Sequence, residues 1–186
     1  MGRVSQAQAQ ENRARVVATA SRLFREHGTG VSVADLMQAA GLTQGGFYKQ
    51  FASKEALVEE AAAHAFTELA AHRTAELREH DGRPQAARQG LIDQYLSPRH
   101  RDDAGGGCPA AALAADMARD PGEAAREVYT EGVREFAGWL ADDTEDGLAR
   151  LATLVGGLLL ARATEGSALS DEILRAAHAA LSDGRR

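Results

Sequence analysis

Apolar residues in this chain recur at three- and four-residue spacings from end to end, and no stretch alternates with period two for long enough to make a strand. That pattern confines the fold to the all-α class, with about nine helices. The first, roughly Gln10 to His27, gathers Val16, Val17, Ala20, Leu23 and Phe24 into one stripe, and Gly28 ends it as a C-terminal cap. A short second helix begins at Ser32, an N-cap with Asp35 three residues on, with Val31 stapled to Leu36, and stops at Gly41. Thr43 caps a third that carries Phe47 and Phe51 at i and i+4. Ser53 begins a fourth with Leu57, Ala61, Ala65 and Leu69 in register, running to about His80 before Gly82 and Pro84. At 1.5 Å per residue it spans about 42 Å, long enough to join two modules.

Beyond it, Pro84 to Leu96 reads as a helix, Arg99 to Gly107 as a polar loop, and Pro109 to about Arg119 as a short alanine-rich helix. Asp120-Pro121 has the form of an N-cap with proline at the first helical position, opening a helix with Ala125, Val128, Tyr129, Phe136 and Leu140 on one side. The segment from Glu145 to Thr164 is apolar nearly all round, with Gly156-Gly157 allowing close backbone approach, and Ser170 is expected to cap a last helix.

Of the 186 residues, 44% are hydrophobic and 26% charged, too apolar a balance for disorder. The apolar run Leu154 to Ala161 falls far short of the roughly 18 residues of a membrane helix, and the first residues lack the apolar stretch of a signal peptide. A cytoplasmic protein with no membrane partner is expected. One cysteine, Cys108, excludes an internal disulfide framework and a cysteine-rich zinc site. The net charge of −6 is unevenly spread: residues 1–60 hold seven Lys/Arg against six Asp/Glu, and residues 61–186 hold 14 against 21. This asymmetry suggests two modules, here divided as 1–55 and 56–186.

Two short helices joined by a tight glycine-containing turn and preceded by a longer one make a helix-turn-helix, whose second helix enters the major groove of double-stranded DNA. That helix is Thr43 to Gln50. Phe47 and Phe51 belong to its core side, leaving Thr43, Gln44, Gly45, Tyr48 and Lys49 for the outer face. Gln44 is the best base reader, because a carboxamide pairs bidentately with adenine; Lys49 suits guanine or a phosphate. Gly45 and Gly46 each cost up to about 1 kcal/mol relative to alanine in a helix, which calls for close backbone approach to DNA or ordering on binding.

The stretch Arg15 to Leu57 resembles the N-terminal domain of the tetracycline-repressor (TetR) family of bacterial transcription regulators. The resemblance rests on Ala20, Leu23-Phe24 and Gly28; on Ser32 to Leu36 and Ala39 to Leu42; and on Thr43, Phe47-Tyr48, Phe51 and Ser53 to Leu57. Phe47 replaces the family's usual leucine or isoleucine before the tyrosine. The resemblance implies phosphate contacts from Tyr48, Ser53 and Lys54, groove contacts from Thr43 to Lys49, with Ser32 at the same face, and a C-terminal domain for effector and dimer partner. Gly107 to Leu113 also resembles a pattern found in one branch of the family.

The effector candidates are Phe66, Tyr95, Cys108, Met117, Tyr129 and Trp139, which equally suit a core. The homodimer candidates are Leu151, Leu154, Val155, Leu158, Ile173, Leu174 and Leu181, from two helices too apolar to face water. Cys108 precedes Pro109 and so occupies an N-cap, where free amides lower a thiol's pKa, with Arg99, His100 and Arg101 near; the plain alternative is a small buried hydrophobe. His64, His72 and His80 recur every eight residues, which turns each about 80° from the last, so they do not form a metal pair. No phosphate-binding loop or nucleophilic-serine motif is present, and no cofactor or metal is expected. The expectation is a ligand-responsive regulator, a repressor released by a small molecule or electrophile, and not an enzyme. Its rivals are an all-helical enzyme with Cys108 as nucleophile and a DNA-free helical interaction module.

Overall fold

The computed structural model describes residues 6–119, 122–142 and 146–182, and no strand occurs among them. The elements are α1 (Gln6–His27), α2 (Val33–Ala39), a 3-10 helix (Gln44–Lys49), α3 (Lys54–Glu79), α4 (Pro84–Tyr95), α5 (Pro98–Asp102), α6 (Pro109–Ala112), α7 (Ala114–Arg119), α8 (Glu123–Leu140), α9 (Gly147–Ala163) and α10 (Ala168–Ser182).

Two apolar clusters organise them. The first gathers Val16, Ala20, Phe24, Leu36, Met37, Phe47, Phe51 and Leu57 from α1, α2, the 3-10 helix and the start of α3. It is completed by Leu113, Met117 and Ala125, contributed from the far side of the chain. The second packs Phe66, Ile92, Tyr95, Phe136, Leu140, Leu154, Leu158 and Leu174 from α3, α4, α8, α9 and α10. Helix α3 belongs to both, packing on α1 at one end and on α4 and α8 along its length. The division at residue 55 therefore falls where a shared rod begins.

Most local expectations hold, and the departures have physical causes. Ser32 and Ser53 cap α2 and α3, accepting from the amides of Asp35 and Ala56, each at 3.1 Å. The polar loop contains a helical turn, α5, because Ser97 accepts from the His100 amide at 3.2 Å and Pro98 supplies a helix-ready φ. The alanine-rich helix breaks at Leu113, whose side chain is drawn into the first cluster. Helix α8 starts at Glu123 behind Gly122, which has φ +87°; Asp120 and Pro121, expected to open it, lie outside the described residues, as does Glu145. Asp146 caps α9, accepting from the Leu148 amide at 2.8 Å.

Ser170 is a correction. It lies inside α10 and caps nothing; its buried hydroxyl donates to the Ala161 carbonyl of α9 at 2.7 Å and accepts from Arg101 at 2.9 Å, joining α5, α9 and α10. Of the two glycines expected to allow close approach, Gly157 does so: a Cβ there would meet Ala177 Cβ at 2.7 Å, whereas one on Gly156 would meet nothing.

Candidate DNA-binding face and ligand cavity

The α2 to 3-10 turn is built as a helix-turn-helix connection. Gly41 takes φ +70°, its amide donates to Gln38 O at 2.9 Å, and the Leu42 amide reaches back to Met37 O at 2.8 Å. Phe47 and Phe51 face inward with ring centroids 5.4 Å apart, and Tyr48 stands edge-on to Phe47 while remaining 71% exposed. Thr43, Gln44, Gly45 and Lys49 are exposed beside it, Ser32 is exposed, and Ser53 and Lys54 are half-buried.

The expected α-helical form of this element is not found. Residues Gln44–Lys49 form a 3-10 helix, and Thr43 makes no side-chain cap bond. Two adjacent glycines weaken the α-helical alternative, and i to i+3 bonds suit so short a segment. One residue the sequence reading passed over stabilises this end. Arg13 of α1 pairs with Glu60 of α3, lays its guanidinium 4.7 Å from the Phe51 ring centroid, and donates to Gln50 O at 3.3 Å.

A cavity of about 360 Å³ opens between α3, α4 and the segment leading into α6. Its walls include Ala65, Leu69, Leu91, Tyr95, Cys108 and Pro109, with Arg25, Glu68, Arg99 and Asp103 also lining it. The two cations and two carboxylates among these leave no net charge to favour an ion. Tyr95 is buried, with its hydroxyl against the Cys108 thiol. Burial, above all, raises its pKa well above 10.0. His100, also lining the cavity, sits 4.6 Å from the Tyr95 ring, and its Nδ1 lies 2.7 Å from Tyr95 O. A carbonyl only accepts, so Nδ1 carries the proton and Nε2 presents a lone pair. Burial also lowers the His100 pKa below 6.5.

The chain matches the family "Bacterial regulatory proteins, tetR family" over residues 16–61. That match spans α2, the 3-10 helix, most of α1 and the start of α3. Solved structures similar to the whole chain include the reduced form of E. coli NemR, at TM-score 0.77 and 22% identity, covering 93% of this chain and 96% of that one. A TetR transcriptional regulator from Chloroflexus aurantiacus follows at TM-score 0.74 and 23% identity, covering 96% of each. A TetR-family regulator from Agrobacterium tumefaciens has TM-score 0.75 and 22% identity, covering 94% and 98%. No curated protein matches the sequence. At these identities the structures establish a TetR-like fold, and the family match marks residues 16–61 as similar to the tetR-family regulatory domain.

Of the six effector candidates, Tyr95 and Cys108 line the cavity and the other four do not. Phe66 lies over Gly132 and meets Tyr129 edge-on; the Tyr129 hydroxyl donates to Ala110 O at 2.6 Å, and burial pushes its pKa up to about 12. Met117 fills the first cluster, and Trp139 packs half-buried on the second. Cys108 is at an N-cap as expected, but the consequence drawn from that position is reversed. The thiol is buried and makes no capping bond, and burial raises its pKa above 9.0 despite the opposing pull of the Tyr95 hydroxyl and the Ala110 and Ala111 amides. A four-residue helix offers little dipole against that desolvation.

The apolar dimer candidates are largely occupied within the protomer. Leu151, Leu154, Leu158, Leu174 and Leu181 are buried in the second cluster, and Val155 and Ile173 pack half-buried against it. The exposed leucines are Leu148, Leu159 and Leu160 of α9 and Leu169 of α10, on faces a sequence cannot separate when a helix is apolar all round. Among the described residues, no helix is long and apolar enough to cross a membrane, and no group of three or more His, Cys, Asp or Glu is placed to hold a metal ion.

Proposed function

We propose that the protein is a cytoplasmic, homodimeric repressor whose operator binding is released by a neutral, mainly apolar small molecule held in the cavity beside Tyr95. The observation that carries this reading is the cavity of about 360 Å³ itself, walled by Ala65, Leu69, Leu91, Tyr95, Cys108 and Pro109, with the charges of Arg25 and Arg99 offset by Glu68 and Asp103. A ligand that takes the apolar part of this wall out of water gains about 25 cal/mol per Å² of apolar surface buried. The charge balance of the lining favours an uncharged molecule. The raised Cys108 pKa favours noncovalent binding over capture of an electrophile, and the same burial suppresses the thiolate that an enzyme using Cys108 would need.

DNA would be read by Gln44 and gripped by Tyr48, Lys49 and Lys54, with Ser32, Thr43, Gly45 and Ser53 in the same interface. Binding would be a population shift: the occupied cavity favours a conformation in which the two reading heads of the dimer no longer fit their half-sites. The test begins with selection of genomic fragments by the full chain. Tyr48→Ala and Lys49→Ala should weaken binding to all sequences and lower the salt slope, while Gln44→Ala should relax sequence preference. Unchanged affinity in all three variants would refute the DNA-binding face. For the cavity, the neutral solvatochromic ketone prodan should bind with a blue-shifted emission that Tyr95→Phe reduces; no binding would refute the cavity as an effector site.

A further inference from the structure

The polar side chains around the cavity are mostly engaged with one another or with the backbone. Arg25 pairs with Glu68 at 2.8 Å and donates to Gly107 O at 3.1 Å. The Ser97 hydroxyl donates to Gln94 O at 2.7 Å, and Asp103 accepts from the Gly106 amide at 2.9 Å. His100 is the exception at one atom. Its ring folds back over the end of α4, with Nδ1 2.7 Å from Tyr95 O, and its backbone is held on both sides: the amide donates to Ser97 Oγ at 3.2 Å and the carbonyl accepts from Arg162 Nη2 of α9 at 2.9 Å. The ring therefore has a fixed pose and a fixed tautomer, with the proton on Nδ1 and a lone pair on Nε2 at the opposite edge. Among the described residues no donor reaches Nε2, and the ring borders the cavity. Burial lowers its pKa below 6.5, so at neutral pH the ring is uncharged and that lone pair is free to accept.

We propose that the ligand of this cavity is a neutral, largely apolar alcohol or phenol whose O–H donates to His100 Nε2. The proposal rests on the cavity being the effector site and names the one polar group its ligand must carry. An apolar ligand with no donor takes Nε2 out of water and returns nothing, and one that offers only an acceptor sets a second lone pair against the first. A carboxylate is an acceptor only, and an ammonium adds a charge that the balanced lining of Arg25, Arg99, Glu68 and Asp103 does not match. A hydroxyl supplies the donor with the least polar surface to desolvate. The rest of the molecule lies on Ala65, Leu69, Leu91 and Pro109.

The test compares 2-naphthol with 2-methoxynaphthalene, which has the same ring and oxygen but no donor, both neutral at pH 7, by calorimetric titration of the full chain. His100→Asn keeps an N–H at about the place of Nδ1, for Tyr95 O, and has no atom at the place of Nε2. His100→Gln is long enough to return a carbonyl oxygen there. The ratio of the two affinities cancels the difference in hydrophobicity between the probes when wild type and variant are compared. The preference for 2-naphthol should fall about fivefold from wild type to His100→Asn and recover in His100→Gln. A second measurement needs no variant of altered stability: in the wild type labelled with 15N in its imidazoles, the His100 Nε2 resonance should move upfield on addition of 2-naphthol and not on addition of 2-methoxynaphthalene. The same ratio in wild type and His100→Asn, no recovery in His100→Gln, or an unmoved Nε2 resonance at saturating 2-naphthol would each overturn the proposal while leaving the cavity as a binding site. Binding of neither probe by the wild type would overturn the effector-site reading and the proposal with it.

Discussion

Two buried groups at the cavity have consequences that follow from single side chains. Cys108 is held as the thiol at neutral pH because burial raises its pKa above 9.0. Its alkylation by iodoacetamide in the folded protein should be slower than in the urea-unfolded chain at the same pH, and the rate should still be climbing with pH at 9 rather than levelling off below it. Fast alkylation at pH 7 would instead restore the reactive thiol expected from its N-cap position. For His100 the sign runs the other way. Burial lowers its folded pKa below the ordinary 6.5, so the unfolded chain takes up a proton that the folded one resists. The stability this residue contributes is present above pH 6.5 and is lost as the pH falls from there through the lowered folded value. His100→Asn can still donate to Tyr95 O and cannot titrate; its melting temperature should fall less than that of the wild type across this window. An identical fall in both proteins would remove His100 from the acid response.

At the scale of elements, the glycine pair in the 3-10 helix separates stability from recognition. A Cβ at Gly45 meets nothing within 4 Å, and one at Gly46 meets only ordinary contacts, Met37 Cε at 3.6 Å and Thr43 Oγ1 at 3.9 Å. Alanine at either position should therefore raise stability, by up to about 1 kcal/mol, through loss of unfolded-state freedom. If the glycines serve close approach to DNA, affinity for a selected fragment falls as stability rises; if they serve ordering on binding, both rise together. Chemical denaturation and titration of Gly45→Ala decide between the two. This element also marks how far sequence alone reaches. Caps, stops and apolar stripes are local signals, so Ser32, Gly41, Phe47, Ser53 and the start of α4 were legible. The break at Leu113, the inward hydroxyl of Ser170 and the grips of Arg13 and Arg25 depend on partners tens of residues away, and nothing in their own neighbourhood in sequence announces them. For the same reason only two of the six aromatic, methionine and cysteine candidates, Tyr95 and Cys108, line the cavity, while Phe66, Met117, Tyr129 and Trp139 have equally apolar surroundings elsewhere.

For the whole molecule, the question is what covers the outer face of α9 and α10. Leu148, Ala149, Ala152, Leu159, Leu160 and Ala163 are exposed at helical spacing along α9 with no charged residue among them, and Leu169 adds to the face from α10, which packs beside it. Isolated exposed leucines are ordinary, but a continuous apolar stripe on a water-facing helix is a reason to expect a partner, and self-association about a two-fold axis uses each such residue twice. Burying a leucine side chain is worth about 1.5–3 kcal/mol, so a carboxylate at one position removes that contribution from both copies and adds two desolvated like charges. Leu160→Glu, 59% exposed in the protomer, should therefore give a folded monomer with an unchanged helical circular dichroism spectrum and much weaker operator binding, since two linked reading heads bind far more tightly than one. Leu158→Glu, fully buried in the protomer, should instead lose its cooperative melting transition. Sedimentation velocity of wild type and both variants distinguishes the outcomes: a monomeric wild type, or a Leu160→Glu dimer as tight as the wild type, would move the dimer interface off this face.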